Sequence, residues 1–248
     1  MINKYLAVMQ PTFLPWVGYF DLIDQSDVFV FYNDVQFVKQ SWQTRNRLNG
    51  ANGVFYINCP VKKCDLSTNI DKVQIDNTKA WREKIIKTLF YNYRKSHFFE
   101  EVHPWMIEFF KKGYDKLEDQ SITFITDLAK KLGMNTILIR SSDLDLSTND
   151  RVQKLIDICL LNKANTYIST PGAYDYLSTE NGEGRMNKNG VTLSYHQYSP
   201  LPYPVTVSNY EGYMSTVDLL YNVGFKNALS HIRAGRKDLK KPSEIKDV

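Results

Sequence analysis

The start of the chain sets the tightest limit on the fold. Residues 5–9 read as a short buried strand, and Trp16 to Gln25 reads as a helix with Trp16, Phe20 and Ile23 on one side. "DVFVFYN" (27–33) is a dense β-branched and aromatic run, hence a second buried strand. A helix between two such strands makes them parallel, with a right-handed crossover. The alternation continues with a strand at 136–142, a helix at 151–161, a strand at 166–170 and a late strand at 191–198. The expected class is therefore α/β, an open and mostly parallel sheet with a Rossmann-like N-terminal βαβ unit and helical additions.

Between these elements the pattern predicts a third strand at 53–61, stopped by Pro60, and a short fourth at 72–75. Residues 81–95 are expected to form an amphipathic helix, with Trp81, Ile85, Ile86, Leu89, Phe90 and Tyr93 on one face. Pro104 marks a helix start, and 121–133 is a helix with Ser121 as N-cap and Gly133 just past its end. A helix over 215–224 opens on Ser215, with Asp218 completing a capping-box variant, and ends at Gly224. The Gly/Asn-rich stretch 178–190 reads as a surface loop and candidate lid. One α/β domain is expected over 1–235, with 79–132 as a candidate helical sub-domain and 236–248 as a solvated tail.

The chain carries 16 Tyr, 13 Phe and 4 Trp, rings that pack or stack on bases and sugars. Its net charge of +4 suits an anionic small ligand and falls short of the basic stripe of a nucleic-acid binder. No apolar run reaches the length of a membrane span, and the N-terminus lacks the apolar core of a signal sequence. Three cysteines, Cys59, Cys64 and Cys159, argue against a disulfide framework and for a reduced, cytoplasmic setting. Neither they nor the four scattered histidines have zinc-site spacing.

The turn after the first strand lacks the glycine fingerprint of a dinucleotide site. It supplies side chains instead: Gln10, Thr12, Trp16 and, on the helix, Tyr19. Open α/β sheets bind ligands beyond the carboxyl ends of their strands. Here five ends run into polar residues: Gln10 and Thr12; Asn33, Asp34 and Gln36; Lys62 and Lys63; Ser141, Ser142 and Asp143; and Ser169, Thr170 and Gly172, with Tyr176 beyond. Strand ends are polar in any protein, so each alone is ordinary and their convergence is the signal. "QFVKQSWQTRNRL" (36–48) adds Lys39, Trp42, Arg45, Asn46 and Arg47, a guanidinium fork for phosphate beside a ring for stacking. A basic solvated loop with Trp42 tucked into the core is the alternative. Asp34 is the best carboxylate for a general base and His196 the best histidine, although a lone histidine is more often structural. Cys59, inside a strand, reads as core.

These residues carry a resemblance. "MQPTFLPWVGYFDLIDQSDVFVFYNDVQFVKQSWQTRNRL", "LGMNTILIRSSDL", "TYISTPGAYDYL" and "GYMSTVDLLYNVG" resemble segments of the WbqC-like proteins, a likeness reaching to about residue 225. "INCPVKK" departs from it, where the family is expected to have an apolar Val-Pro-Val. The resemblance implies work in O-antigen and other surface-polysaccharide synthesis, on a nucleotide-linked amino sugar that receives an acyl or aminoacyl group. The donor is expected to be acyl-CoA, an acyl-carrier protein or an aminoacyl donor. In that scheme Arg45 and Arg47 hold the diphosphate, and Trp16, Tyr19 or Trp42 stacks on base or sugar. Asp34 accepts the amine proton, and Lys62 or the Ser169–Gly172 turn stabilises the oxyanion. The opening also resembles pantothenate synthetase and other nucleotidylyltransferase-like enzymes, but "PWVGY" lacks both histidines of their His-x-Gly-His motif. An ATP-dependent acyl-adenylate ligase and a non-catalytic nucleotide-sugar-binding partner are the alternatives.

Overall fold

The computed structural model describes residues 3–50, 52–206 and 209–245. Strand β1 (Tyr5–Met9), helix α1 (Val17–Asp24) and strand β2 (Val28–Phe31) form the expected opening unit. A hairpin follows, β3 (Arg45–Gly50) and β4 (Gly53–Asn58), then three helices, α2 (Trp81–Tyr93), α3 (Phe99–Lys111) and α4 (Leu117–Lys131). The chain returns through β5 (Ile137–Arg140), α5 (Arg151–Leu161), β6 (Thr166–Ser169), α6 (Tyr174–Thr179), α7 (Gly182–Lys188), β7 (Thr192–Tyr195) and α8 (Thr216–Ala234).

Five strands form one parallel sheet in the order β5-β2-β1-β6-β7. The chain steps outward from β1 through β2 to β5, then crosses back to β6 and β7. The strand order therefore reverses between β1 and β6, the place where such sheets open a ligand crevice. Side chains alternate across the sheet as the two-residue strand period requires. Ala7, Phe29, Phe31 and Ile168 pack into one buried cluster with α1, α8 and α2–α4. Leu6, Val8, Val28, Val30 and Leu193 pack into another with α5 and α7. No helix among the described residues is long and apolar enough to cross a membrane.

Several expectations are corrected. The strand expected at 53–61 is β4, and it leaves the parallel sheet to pair antiparallel with β3. Gly50 faces Gly53 across the turn, and Gly53 sits at φ 97°, a conformation that side chains resist. Residues 72–75 form no strand; Gln74 and Ile75 make single bridges only. Pro104 lies inside α3, which starts at Phe99, because buried Val102, Met106, Phe109 and Phe110 carry the helix through the missing N–H. Ser121 is buried within α4 rather than capping it, whereas Gly133 does end that helix at φ 78°.

The last helix does not stop at Gly224. It bends there, at φ 75°, where a Cβ would lie 2.4 Å from the Phe98 ring, and continues to Ala234. Ser215 caps it as expected, but Asp218 turns inward instead of completing a capping box. The 178–190 stretch is largely helical, with Met186 fully buried. The tail is packed as far as Ile245: Arg236 pairs with Asp21 and Asp24, and Lys240 bridges to Tyr195. Residues 246–248 lie outside the described residues.

Candidate functional site

Two hollows meet over the carboxyl end of β1, one on each face of the sheet. The larger, about 850 Å³, opens on the α5 face at the β1–β6 reversal. Its walls include Gln10, Gln36, Gln43, Tyr32, Tyr167 and Tyr176, and its floor includes Ser169, Thr170 and Gly172. The smaller, about 250 Å³, lies on the α1–α8 face against Trp16, Tyr19, Asn46, Arg47 and Tyr213. Met9, Thr12 and Trp42 line both, so the hollows adjoin at the strand end.

Local hydrogen bonds fix this junction. Gln43 Nε2 donates to Gln10 Oε1 at 2.7 Å, and Tyr19 Oη donates to the Gln10 carbonyl at 3.2 Å. Asn46, buried under the turn, donates to the carbonyls of Phe13 and Leu14 at 3.1 and 2.9 Å. The segment carrying Trp42 is thereby tied to the turn that carries Thr12. The Trp16 ring lies over Gly18, where a Cβ would sit 2.3 Å from its Cη2. Tyr198 meets that ring edge-on at 5.6 Å and Tyr213 lies tilted against it at 5.4 Å. Gly18→Ala is expected to push Trp16 into the smaller hollow and to cost roughly 1–3 kcal/mol. Urea unfolding, with tryptophan emission in the native state, measures both effects.

The outer rim is aromatic and cationic. Leu48 and Ile57 face inward from the hairpin and are buried, which turns Arg45, Arg47 and Tyr56 outward. Trp42 stacks on Tyr56 at 6.3 Å, with Arg47 over Trp42 at 5.7 Å and Arg45 over Tyr56 at 4.9 Å. Such contacts hold a guanidinium in place while leaving its N–H fork available. Arg47 Nη2 donates to the Tyr213 carbonyl at 3.1 Å, and its buried Nε has no partner. Among the described residues Arg45, Arg47 and Lys39 form no ion pair. Among the described residues no Asp, Glu or His lines either hollow. The cleft is therefore electropositive and suited to an anion.

The proposed catalytic groups lie elsewhere. Asp34 is absent from both linings, and both its oxygens are engaged. Ser141 Oγ donates to one, and Lys154 Nζ donates to the other at 2.6 Å. Beside it Asn33 donates to Glu118 and Ser142, closing the ends of β2 and β5. His196 is buried, its Nε2 2.7 Å from Asp21 Oδ2, while Arg236 donates to Asp21 Oδ1 at 2.8 Å. Lys62 sits outside the cleft because β4 left the sheet, and it donates to Gln74 at 2.9 Å. Lys39 is exposed and lines neither hollow, and Gln36 donates to the Leu66 carbonyl at 2.8 Å. Burial pushes the Cys59 thiol up and that of Cys159 up to about 12, which leaves both unreactive.

The structure thus brings together Gln10, Thr12, Trp16, Tyr19, Gln36, Trp42, Asn46, Arg47, Ser169, Gly172 and Tyr176, with Arg45 on the rim. It separates from them Asp34, His196, Lys62 and Lys39. It adds Tyr32, Gln43, Arg151, Tyr167 and Tyr213. Gln43 had a signal, since it lies inside the basic segment; Tyr213 reaches the site only through the packing of α8.

The five-stranded parallel sheet flanked by helices, with a cationic, aromatic cleft at its strand-order reversal, defines the class of the protein as α/β. The chain belongs to the WbqC-like protein family, whose profile matches residues 10–229. It is similar to the Mycobacterium tuberculosis (strain ATCC 25618 / H37Rv) protein "Uncharacterized protein Rv1507c", with 29% identity over 224 residues, 89% of this chain and 94% of that protein. No solved structure matches the chain.

Proposed function

We propose that the protein binds a nucleotide-linked amino sugar across the carboxyl end of β1 and transfers an acyl or aminoacyl group to its amine, in surface-polysaccharide synthesis. One observation carries this reading: a small aromatic hollow edged by Arg47 adjoins a larger crevice with polar groups from Gln10, Gln43 and Ser169, and Arg45 and Arg47 have no carboxylate partner among the described residues. The base stacks among Trp16, Trp42 and Tyr213. The diphosphate crosses beside Thr12 and the two arginines, whose planar forks match its oxygens. The sugar enters the crevice. There the amine attacks the carbonyl carbon of an acyl-CoA, acyl-carrier or aminoacyl donor. The tetrahedral adduct collapses, the donor group leaves, and that group takes the proton the amine loses.

The test is incubation with UDP-glucosamine and a panel of acyl-CoA donors, read by mass spectrometry. A product heavier by one acyl group is expected. Tight binding of UDP-glucosamine without product from any donor favours a second reading, a non-catalytic nucleotide-sugar-binding protein. The lack of a carboxylate or imidazole in the lining of the cleft, among the described residues, supports that second reading.

A further inference from the structure

We infer that Tyr32 and Tyr176 read the glycosyl part of the ligand through their hydroxyl groups. This rests on the proposed nucleotide-sugar site and assigns its sugar end. The two residues reach the crevice from the strands that flank β1. Tyr32 follows β2, and its N–H donates to the Met9 carbonyl at 2.9 Å, which fixes it beside the end of β1. Tyr176 stands on α6, just beyond the Thr170–Gly172 turn after β6.

Each ring is held from one side by a cation. Lys154 Nζ lies 5.0 Å from the Tyr32 centroid, and the Arg151 guanidinium lies 5.0 Å from that of Tyr176. Each cation is anchored in turn, Lys154 by Asp34 at 2.6 Å and Arg151 by Glu180 at 2.5 Å. Asp34 is thus a positioning residue: it fixes the lysine that packs on Tyr32.

The hydroxyls themselves are unspent. Neither has a hydrogen-bond partner among the described residues, whereas those of Tyr93, Tyr203 and Tyr221 are all committed in the core. Burial raises both phenols, Tyr32 to about 12, so each stays neutral and can donate and accept. Two neutral, pre-positioned hydroxyls suit the hydroxyl and amine groups of a sugar, which both donate and accept, whereas a phosphate offers acceptors alone. A site built on such bonds discriminates strongly against a ligand that lacks the partner groups.

Calorimetric titration with UDP and with UDP-glucosamine, on wild type, Tyr32→Phe and Tyr176→Phe, tests this. Both substitutions keep the ring and its cation contact, and urea midpoints check that each variant is folded. Wild type is expected to bind UDP-glucosamine more tightly than UDP. Each variant should lose roughly five- to tenfold of that advantage while its UDP affinity stays within about twofold of wild type. An advantage that survives in both variants, or is absent in wild type, overturns the assignment of the sugar end alone. Failure of wild type to bind UDP at all overturns the nucleotide-sugar reading beneath it.

Discussion

Asp218→Ala is expected to destabilise the protein by about 3–5 kcal/mol, since it removes a fully buried acceptor from a closed hydrogen-bond network and leaves several buried donors unsatisfied. Tyr93 and Tyr203 donate their hydroxyls to this carboxylate, and Asn49 donates both its N–H and its Nδ2 at 3.3 Å. The alanine variant leaves two phenols and an amide buried without an acceptor. The network ties β3 and α2 to α8, so it also holds the hairpin that carries Arg45 and Arg47. Urea unfolding measures the loss.

The same residue gives a pH signature. Burial raises the Asp218 carboxyl above its ordinary 3.8, and the tyrosine hydrogen bonds oppose this without cancelling it. An acid whose pKa is higher in the folded state favours folding in its protonated form. Its contribution is complete below the unfolded value and declines as pH rises through the folded one. Asp218→Asn removes that titration. The stability of wild type minus that of Asp218→Asn should therefore fall as pH is raised from about 4 into the neutral range. A constant or rising difference would contradict the burial argument.

The second large effect is on binding. Trp42→Ala combined with Arg47→Ala should weaken UDP-glucosamine by about 2–4 kcal/mol, roughly 30- to 1,000-fold, from the loss of a stacking ring and a charge-assisted bond to phosphate. Stability should change little for the tryptophan alone, because Trp42 is 48% exposed. Calorimetry and urea melts together separate lost contacts from lost fold.

The parts of the fold that were legible in the sequence are those set by local pattern. Val28–Phe31 is apolar at every position, as a strand buried on both faces must be. The α5 helix runs over the expected Arg151–Leu161, with Asp150 accepting from the Gln153 N–H at its start. The β3–β4 hairpin was missed because the inward face of β3 is Asn46, Leu48 and Gly50, too thin an apolar pattern to announce a strand. The Asn-Gly steps around its turn were the available clue.

The candidate site divides along the same line. Gln10, Thr12 and Trp16 follow directly from a strand end, which sequence can locate. The state of Asp34 could not be read, because Ser141 and Lys154, which occupy its two oxygens, are 107 and 120 positions away. His196 likewise meets its carboxylate, Asp21, across 175 positions. Contacts of that range depend on the packing of the sheet and leave no local pattern.

A crystal structure of the protein with UDP-glucosamine tests the central claim most directly. The uracil is predicted in the small hollow against Trp16 and Tyr213, the diphosphate beside Thr12 and Arg47, and the glucosamine between Tyr32 and Tyr176. A nucleotide lying wholly on one face of the sheet, or a ligand bound outside both hollows, would contradict it.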